Sequence, residues 1–189
     1  MKKISAPRSA VRSRTFHAIL EAAAATLARD RAATLAEIAK AAGVGYSTLN
    51  RYFPDRASLL DAAIEDSWRV IGRAVNDTEL DHGPPVDAMR RLVSAMVDAG
   101  DRLLFLYGDS SILEETAEAP DPATGPITLL VERGQREGVF DPAVSADWIV
   151  STLWALVYSG CEAARRGVLP RQGIAPTVIR TLEHGIRGE

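Results

Sequence analysis

The stretch Thr34–Arg56, reading TLAEIAKAAGVGYSTLNRYFPDR, decides the fold of this chain. Its first threonine is followed three positions later by Glu37, the spacing of a capping box, which predicts the start of a helix. Gly43 can take the left-handed backbone conformation that ends a helix and turns the chain sharply. A second short helix is predicted over Tyr46–Phe53, and Pro54 then breaks it. The stretch is therefore expected to form two short helices joined by a tight turn.

Apolar residues of these two helices are spaced so that they can close a small core with a preceding helix. That first helix is predicted over Arg14–Asp30, where apolar residues recur at helical spacing and alanines favour helix. Two short helices meeting at a steep angle form a helix-turn-helix. The positions expected to face its core are Ile38, Ala39, Val44, Leu49 and Phe53.

The second short helix is expected to present polar side chains to a double-stranded DNA partner. In the major groove, arginine suits guanine and asparagine suits adenine. Thr34 lies at a predicted helix N-terminus, where backbone N–H groups and the helix dipole favour an anion. The predicted base contacts are Tyr46, Ser47, Asn50 and Arg51, and the predicted phosphate contacts are Thr34, Thr48, Tyr52 and Arg56.

Charge is divided unevenly along the chain, whose formal net charge is -3. Residues 1–57 carry ten lysines and arginines against four acidic residues, a net charge of +6, which leaves -9 for residues 58–189. A basic head on an acidic body indicates a nucleic-acid partner, because binding to phosphate is driven by positive charge. A basic N-terminal tail would produce the same division, because half of the ten positive residues lie in the first 14 positions.

Three segments of the N-terminal region make the sequence resemble the TetR family of repressors. They are EIAKAAGV (Glu37–Val44), STLNRYF (Ser47–Phe53) and PDRASLL (Pro54–Leu60). The resemblance implies a three-helix DNA-binding head, a fourth helix that links it to a body, and a variable helical body that binds a small-molecule effector and dimerises. It also implies the base and phosphate contacts on the second short helix and at Arg56. We therefore expect a DNA-binding domain over residues 1–57 and a ligand-binding and dimerisation domain over residues 58–189.

The rest of the chain also reads as helix, so the predicted fold class is all-α. Proline and glycine mark two loops, Asn76–Pro85 and Ala119–Pro126. The further predicted helices are Arg56–Val75, Val86–Tyr107 with a bend or a break near Gly100, Ser110–Glu118, Ile127–Glu137, Ala143–Arg166 and Pro176–Ile186.

Aromatic side chains, methionines and the single cysteine of the body could line an apolar pocket with a few polar groups, the usual form of a small-molecule site. The same residue types at helical spacing are also typical of plain core. A lone cysteine allows no internal disulfide, and its apolar neighbours predict a buried, inert thiol. The pocket candidates are Trp68, Met89, Met96, Tyr107, Trp154, Tyr158 and Cys161.

A homodimer is expected from the last two long helices. Apolar and small residues between Trp148 and Gly160 cover too wide an arc for one core, and Val178, Ile179, Leu182 and Ile186 add a second stripe. Two such helices from each subunit would form a four-helix interface. The alternative is that the arc is buried entirely within one protomer.

Other classes of protein find less support in the sequence. The apolar runs fall short of the roughly 20 residues that span a bilayer, and the N-terminus does not read as a signal peptide, so we expect a cytoplasmic protein that does not enter the membrane. The three histidines lie on separate elements, and neither a phosphate-binding glycine loop nor metal-ligand spacing is present, so we expect no cofactor, no metal and no catalysis. The alternative function is a helical small-molecule-binding or catalytic protein whose N-terminal hairpin is structural.

Overall fold

The computed structural model describes residues 8–108, 112 and 123–186, with side chains from Arg12 onward. Over these residues it contains nine α-helices and no strand, which confirms the all-α prediction. The predicted helix Ser110–Glu118 lies, apart from Ile112, outside the described residues. The helices are α1 (Arg8–Arg29), α2 (Leu35–Ala41), α3 (Tyr46–Tyr52), α4 (Arg56–Asn76), α5 (Pro85–Asp98), α6 (Gly100–Tyr107), α7 (Thr124–Arg136), α8 (Ala146–Arg165) and α9 (Ile174–Ile186).

Several helix limits differ from those predicted. Helix α1 begins at Arg8, ahead of the expected start at Arg14. Helix α7 begins at Thr124, so the last part of the predicted second loop is helical. Pro126 does not prevent this, because the first turn of a helix needs no backbone N–H donor there. The helix expected to be bent or broken near Gly100 is broken at Ala99, between α5 and α6.

The chain divides into two compact units, Met1–Asp66 and Ser67–Glu189. In the first unit, the apolar side of the helix-turn-helix is buried against α1. Leu49 and Ile38 are fully inaccessible and Phe53 is 3% exposed. The rings of Phe53 and Phe16 stack with centroids 5.4 Å apart. The further buried residues of this core are Ile19, Leu20, Ala23, Ala24, Leu27, Ala39, Leu59 and Ala63.

The local signals of the helix-turn-helix are present in the structure as predicted. The Thr34 hydroxyl accepts a hydrogen bond from the Glu37 backbone N–H, and the Glu37 carboxylate accepts one from the Thr34 N–H at 2.7 Å. This reciprocal pair is the predicted capping box. Gly43 has φ +67°, in the left-handed region that favours glycine, and turns the chain between α2 and α3. The two features fix where each short helix ends or begins.

The second unit packs α5 to α9 around an apolar core. Helix α8 contributes Ile149, Leu153 and Val157, all fully buried within the protomer. Gly160 lets α9 approach closely, since a Cβ atom there would lie 2.8 Å from the Ile174 Cγ2 atom. Most of the apolar residues of α8 and α9 that were expected at a dimer interface are thus buried in the core of one protomer. Buried residues from α9 are Ile174, Val178, Leu182 and Ile186.

Two arginines bracket the turn between α4 and α5. Arg91 on α5 donates hydrogen bonds to the carbonyl oxygens of Thr78, Glu79 and His82. Arg133 on α7 donates to the carbonyl oxygens of Leu80 and Asp81, at 3.0 and 2.8 Å. The five consecutive carbonyl oxygens of residues 78–82 therefore all accept hydrogen bonds from guanidinium groups. These bonds supply partners that a regular helix would provide from its own backbone.

Candidate nucleic-acid interface and ligand cavity

Helix α3 separates its side chains into a buried and an exposed side. Leu49 packs into the core of the first unit, whereas Tyr46, Ser47, Asn50 and Arg51 are all exposed. Tyr46 is 53% accessible. The structure therefore presents all four predicted base contacts on the surface of one seven-residue helix.

Tyr52, at the end of α3, is tied to α1. Its hydroxyl donates a 3.3 Å hydrogen bond to the Arg12 carbonyl oxygen. The guanidinium groups of Arg12 and Arg51 each lie 5.9 Å from the centre of its ring, within the range of a cation–π contact. Arg12 was not among the residues predicted from the sequence, because its position beside Tyr52 depends on how α1 packs against α3. Two cations and a phenol hydroxyl thus meet beside the exposed side of α3, and half-buried Thr48 lies on the same helix.

Two of the predicted phosphate contacts have other partners within the protein. The Arg56 guanidinium donates to the carbonyl oxygens of Arg31 and Ala33, which tethers the segment between α1 and α2 to the start of α4. The Thr34 hydroxyl is engaged with Glu37 in the capping box. The hydrogen bonds from Thr34 lower the pKa of the Glu37 carboxyl, so a negative charge already occupies this helix N-terminus. Both residues are structural in the chain as it stands, and their phosphate contacts stay predictions.

In the second unit, aromatic rings from three helices form a continuous row. Tyr107 on α6 stacks on Trp154 on α8, with centroids 5.7 Å apart and an interplanar angle of 22°. Trp68 of α4 makes a T-shaped contact with Tyr107, with ring centroids 6.1 Å apart. Tyr107, Trp154 and Tyr158 line a cavity of about 450 Å³, within the usual range for small-molecule sites. The structure thus brings three of the seven predicted pocket residues together at one cavity, and we name it the aromatic cavity.

The other predicted pocket residues lie elsewhere in this unit. Met89 and Met96 are 3% and 1% exposed and belong to the core. Cys161 packs against Gly100, where a Cβ atom would lie 2.8 Å from its sulfur. Burial raises the pKa of the Cys161 thiol to about 11, consistent with the inert thiol that the sequence indicates. Trp68 contacts the aromatic cavity through Tyr107 and is not among its lining residues.

Polar lining of the aromatic cavity was not anticipated from the sequence. Asp147 and Ser151 of α8 line it beside Trp154, together with Thr124 of α7. Among the described residues that line the cavity, Asp147 alone carries a carboxyl group. The sequence pattern could have predicted this polar lining. Asp147 and Ser151 stand four positions apart in a largely apolar helix, so they share the helix face that carries Trp154. The lining is completed by Val150 and Ala155.

Comparisons with known proteins agree with this arrangement. Residues 19–63 match the family model described as bacterial regulatory proteins, tetR family. The HTH-type transcriptional repressor LfrR of Mycolicibacterium smegmatis is 36% identical over 178 residues, covering 94% of this chain and 93% of that protein. The HTH-type transcriptional regulator NfxB of Pseudomonas aeruginosa is 27% identical and covers 88% and 91%.

The structural comparison gives the same answer over the whole length of the chain. The crystal structure of LfrR from Mycobacterium smegmatis in complex with proflavine superposes with a TM-score of 0.75 at 36% identity, covering 95% of this chain and 99% of that chain. No helix among the described residues is long and apolar enough to cross a membrane. The chain therefore belongs to the TetR family of bacterial regulatory proteins, non-enzymatic transcription regulators that bind DNA through a helix-turn-helix.

Proposed function

We propose that this regulator is a homodimeric repressor that binds a roughly palindromic operator and releases it when a planar aromatic cation occupies the aromatic cavity. The observation that carries the DNA-binding part is the division of α3 between one buried leucine and four exposed polar side chains. Side chains of these types, on the second helix of a helix-turn-helix, suit the base edges of the major groove. Arg51 and Asn50 are the residues proposed to read bases.

A homodimer follows from the use of one such helix per half-site. Dimers of helix-turn-helix proteins bind two half-sites one helical turn, about 34–36 Å, or a multiple of it apart, so a two-fold protein requires a nearly palindromic site. The surface of α8 offers a seam. Trp148 is 67% exposed, and Thr152 and Leu156, which follow it at four-residue intervals on the same helix, are half-buried. This narrower stripe, rather than the arc inferred from sequence, is the proposed contact with the second copy.

The chemistry of the aromatic cavity favours a flat, positively charged ligand. Stacked Tyr107 and Trp154 rings provide faces that attract both aromatic planes and cations. Asp147 adds a carboxylate to the lining, which favours a positive charge on the ligand. LfrR, which shares 36% of its residues with this chain, has been crystallised with proflavine, and this supports a ligand of the same class here.

Release of DNA requires that the ligand bind the DNA-free state more tightly than the DNA-bound state. The proposed link is the contact between Tyr107 and Trp68, because Trp68 belongs to α4 and only three residues separate that helix from α3. A ligand that moves the Tyr107 ring also moves a side chain of α4. By linkage, the operator then weakens ligand binding by the same factor.

The proposal is tested by selecting operator sequences from random duplexes with the full-length protein and measuring their binding with and without proflavine, a planar aromatic dye. We expect selected sites with inverted half-sites, a dimeric mass in light scattering, and weaker operator binding as dye is added. Sites without two-fold symmetry or a monomeric mass at micromolar concentration would overturn the dimeric part. Unchanged operator affinity at saturating dye would overturn the effector part alone.

A further inference from the structure

A second cavity, of about 330 Å³, lies in the Ser67–Glu189 unit and shares no residue with the aromatic cavity. It is formed by the C-terminal end of α4, the bracketed turn that follows, and one face of α7. Its apolar lining combines the buried Val75, Leu80 and Leu130 with Leu129, which is 65% exposed. We call it the α4–α7 groove. A leucine so exposed beside a cavity offers apolar surface that a ligand could cover.

The wall of this groove contains a buried donor without an acceptor. Arg133 uses its two terminal nitrogens on the carbonyl oxygens of Leu80 and Asp81, but its Nε atom is buried and has no hydrogen-bond partner among the described residues. Leaving such a donor unsatisfied is unfavourable, and more so when the group is charged. An oxygen acceptor brought by a ligand would remove that cost.

The charges around the groove favour an anionic acceptor. Arg136, one turn further along α7, is exposed and forms no ion pair within the described part of the chain, and neither does Arg133. The opposing carboxylates in the lining are Glu79 and Asp81, and that of Asp81 already accepts a 2.9 Å hydrogen bond from His82. Arg133 also interacts electrostatically with Asp81, so Arg136 is the guanidinium group that remains for a ligand carboxylate, with the Nε atom of Arg133 as a further donor. Bonds between a carboxylate and a guanidinium group are about twice as strong as neutral ones.

We propose that the α4–α7 groove is a second ligand site, which binds small carboxylates with an apolar body. The carboxylate accepts a hydrogen bond from the Nε atom of Arg133 and lies near Arg136. The apolar body covers Leu129 and contacts Val75 and Leu130. The site is independent of the proposed effector cavity, so either one can be lost while the other remains.

The test uses the full-length protein and octanoate, with octanol as a neutral probe of the same length. By calorimetry we expect octanoate to bind and octanol to bind about tenfold more weakly, because it lacks the charge-assisted bonds. Leu129→Ser and Arg136→Gln should each weaken octanoate binding several-fold, whereas the equally exposed controls Val168→Ser and Arg180→Gln should not change it. Arg133 itself is not the primary variant, because its loss would also release the turn that it brackets.

Three results would overturn the proposal. The first is an absence of octanoate binding, with a crystal structure that places only water on Arg133 Nε. The second is equal binding of octanol, or octanoate binding that survives in both groove variants. The third is competition between octanoate and proflavine, which would place the carboxylate in the aromatic cavity. Failure of proflavine to bind, with octanoate still bound, would count against the effector proposal and leave this one standing.

Discussion

The guanidinium of Arg56 donates a hydrogen bond to the carbonyl oxygen of Ala33, 23 positions earlier in the chain. A second bond from the same side chain reaches the Arg31 carbonyl oxygen. The cation that the family resemblance assigns to a DNA phosphate therefore also holds the segment between α1 and α2 in place. Arg56 thus contributes to the stability of the fold, and this contribution can be measured without DNA.

We predict that Arg56→Ala lowers the free energy of unfolding by about 1–3 kcal/mol, because two carbonyl groups lose charged donors. Arg56→Lys should recover part of this loss, and Arg73→Ala, an exposed arginine on α4, should have little effect. Thermal and urea denaturation measure the difference. A variant as stable as the parent that binds all DNA sequences more weakly, with a salt slope reduced by about 1, would instead make Arg56 a phosphate contact.

Arg51→Ala is expected to weaken binding to the selected operator by about 1–3 kcal/mol and to relax base preference at one position of each half-site. The reason is that Arg51 is exposed on α3 and, apart from its contact with the Tyr52 ring, free to reach a base edge. Fluorescence anisotropy with operator and random duplexes measures the effect, with Arg73→Ala as the charge-matched control. Equal losses on both duplexes would refute base reading by Arg51.

The capping box should make the head sensitive to acid. Hydrogen bonds from Thr34 lower the pKa of Glu37 from its ordinary 4.5 in the folded state. The stability that this carboxylate contributes is therefore complete above pH 4.5 and is lost as the pH falls through the lower folded-state pKa. We predict that Glu37→Gln reduces the acid dependence of the unfolding temperature between pH 6 and 3, relative to Glu21→Gln on the exposed side of α1. Parallel curves for all three proteins would contradict this.

Asp147→Asn should show whether the aromatic cavity recognises the positive charge of its ligand or only the shape of the ligand. Replacing its single carboxylate by an amide is expected to weaken binding of the proflavine cation about tenfold and to leave a neutral tricyclic analogue unaffected. The unfolding temperature should fall only slightly, because Asp147 is exposed and, among the described residues, its charge interacts only with the N-terminus of α8. Titration of dye fluorescence measures the affinity, and Asp98→Asn on α5 is the matched control. If the cation and the neutral analogue weaken together, the carboxylate acts on cavity shape rather than on charge.

The Cys161 thiol should react slowly with thiol reagents in the native protein. Burial raises its pKa from 9.0 to about 11, so the thiolate fraction at pH 8 falls about a hundredfold before access is considered. Addition of denaturant should restore a normal rate, which provides the internal control. Rapid modification of the native protein by Ellman's reagent would contradict the observed packing against Gly100.

Local signals predicted the helix-turn-helix well because the responsible interactions lie within a few residues. The bond between Thr34 and Glu37, and the positive φ of Gly43, depend on neighbouring positions only. The partners of Arg56 could not be predicted in this way, since any exposed carbonyl can accept a bond and only the tertiary path brings Arg31 and Ala33 to it. The width of the apolar surface that α8 leaves uncovered could not be predicted for a similar reason, because hydrophobicity does not reveal which neighbour covers a helix face.

The aromatic cavity was predicted only in part. Tyr107 and Trp154 were identified by residue type, but their stacking depends on how α6 and α8 pack. Met96 was also chosen by residue type, but it belongs to the core, where its side chain is 1% exposed. Asp147 was missed because a carboxylate near a helix N-terminus is usually explained by the helix dipole alone.

The bracketing of the turn between α4 and α5 by Arg91 and Arg133 has a consequence for how this protein can vary. Surface turns normally accept inserted or deleted residues, since few of their backbone groups are committed. Here each carbonyl from Thr78 to His82 has a fixed donor, and one residue more or fewer would shift all of them out of register. Among functional variants of this chain, length changes should be rare in that turn and more common in the exposed turn at Gly167 and Val168, whose backbone N–H groups bond only to the last turn of α8, at Ala164 and Ala163.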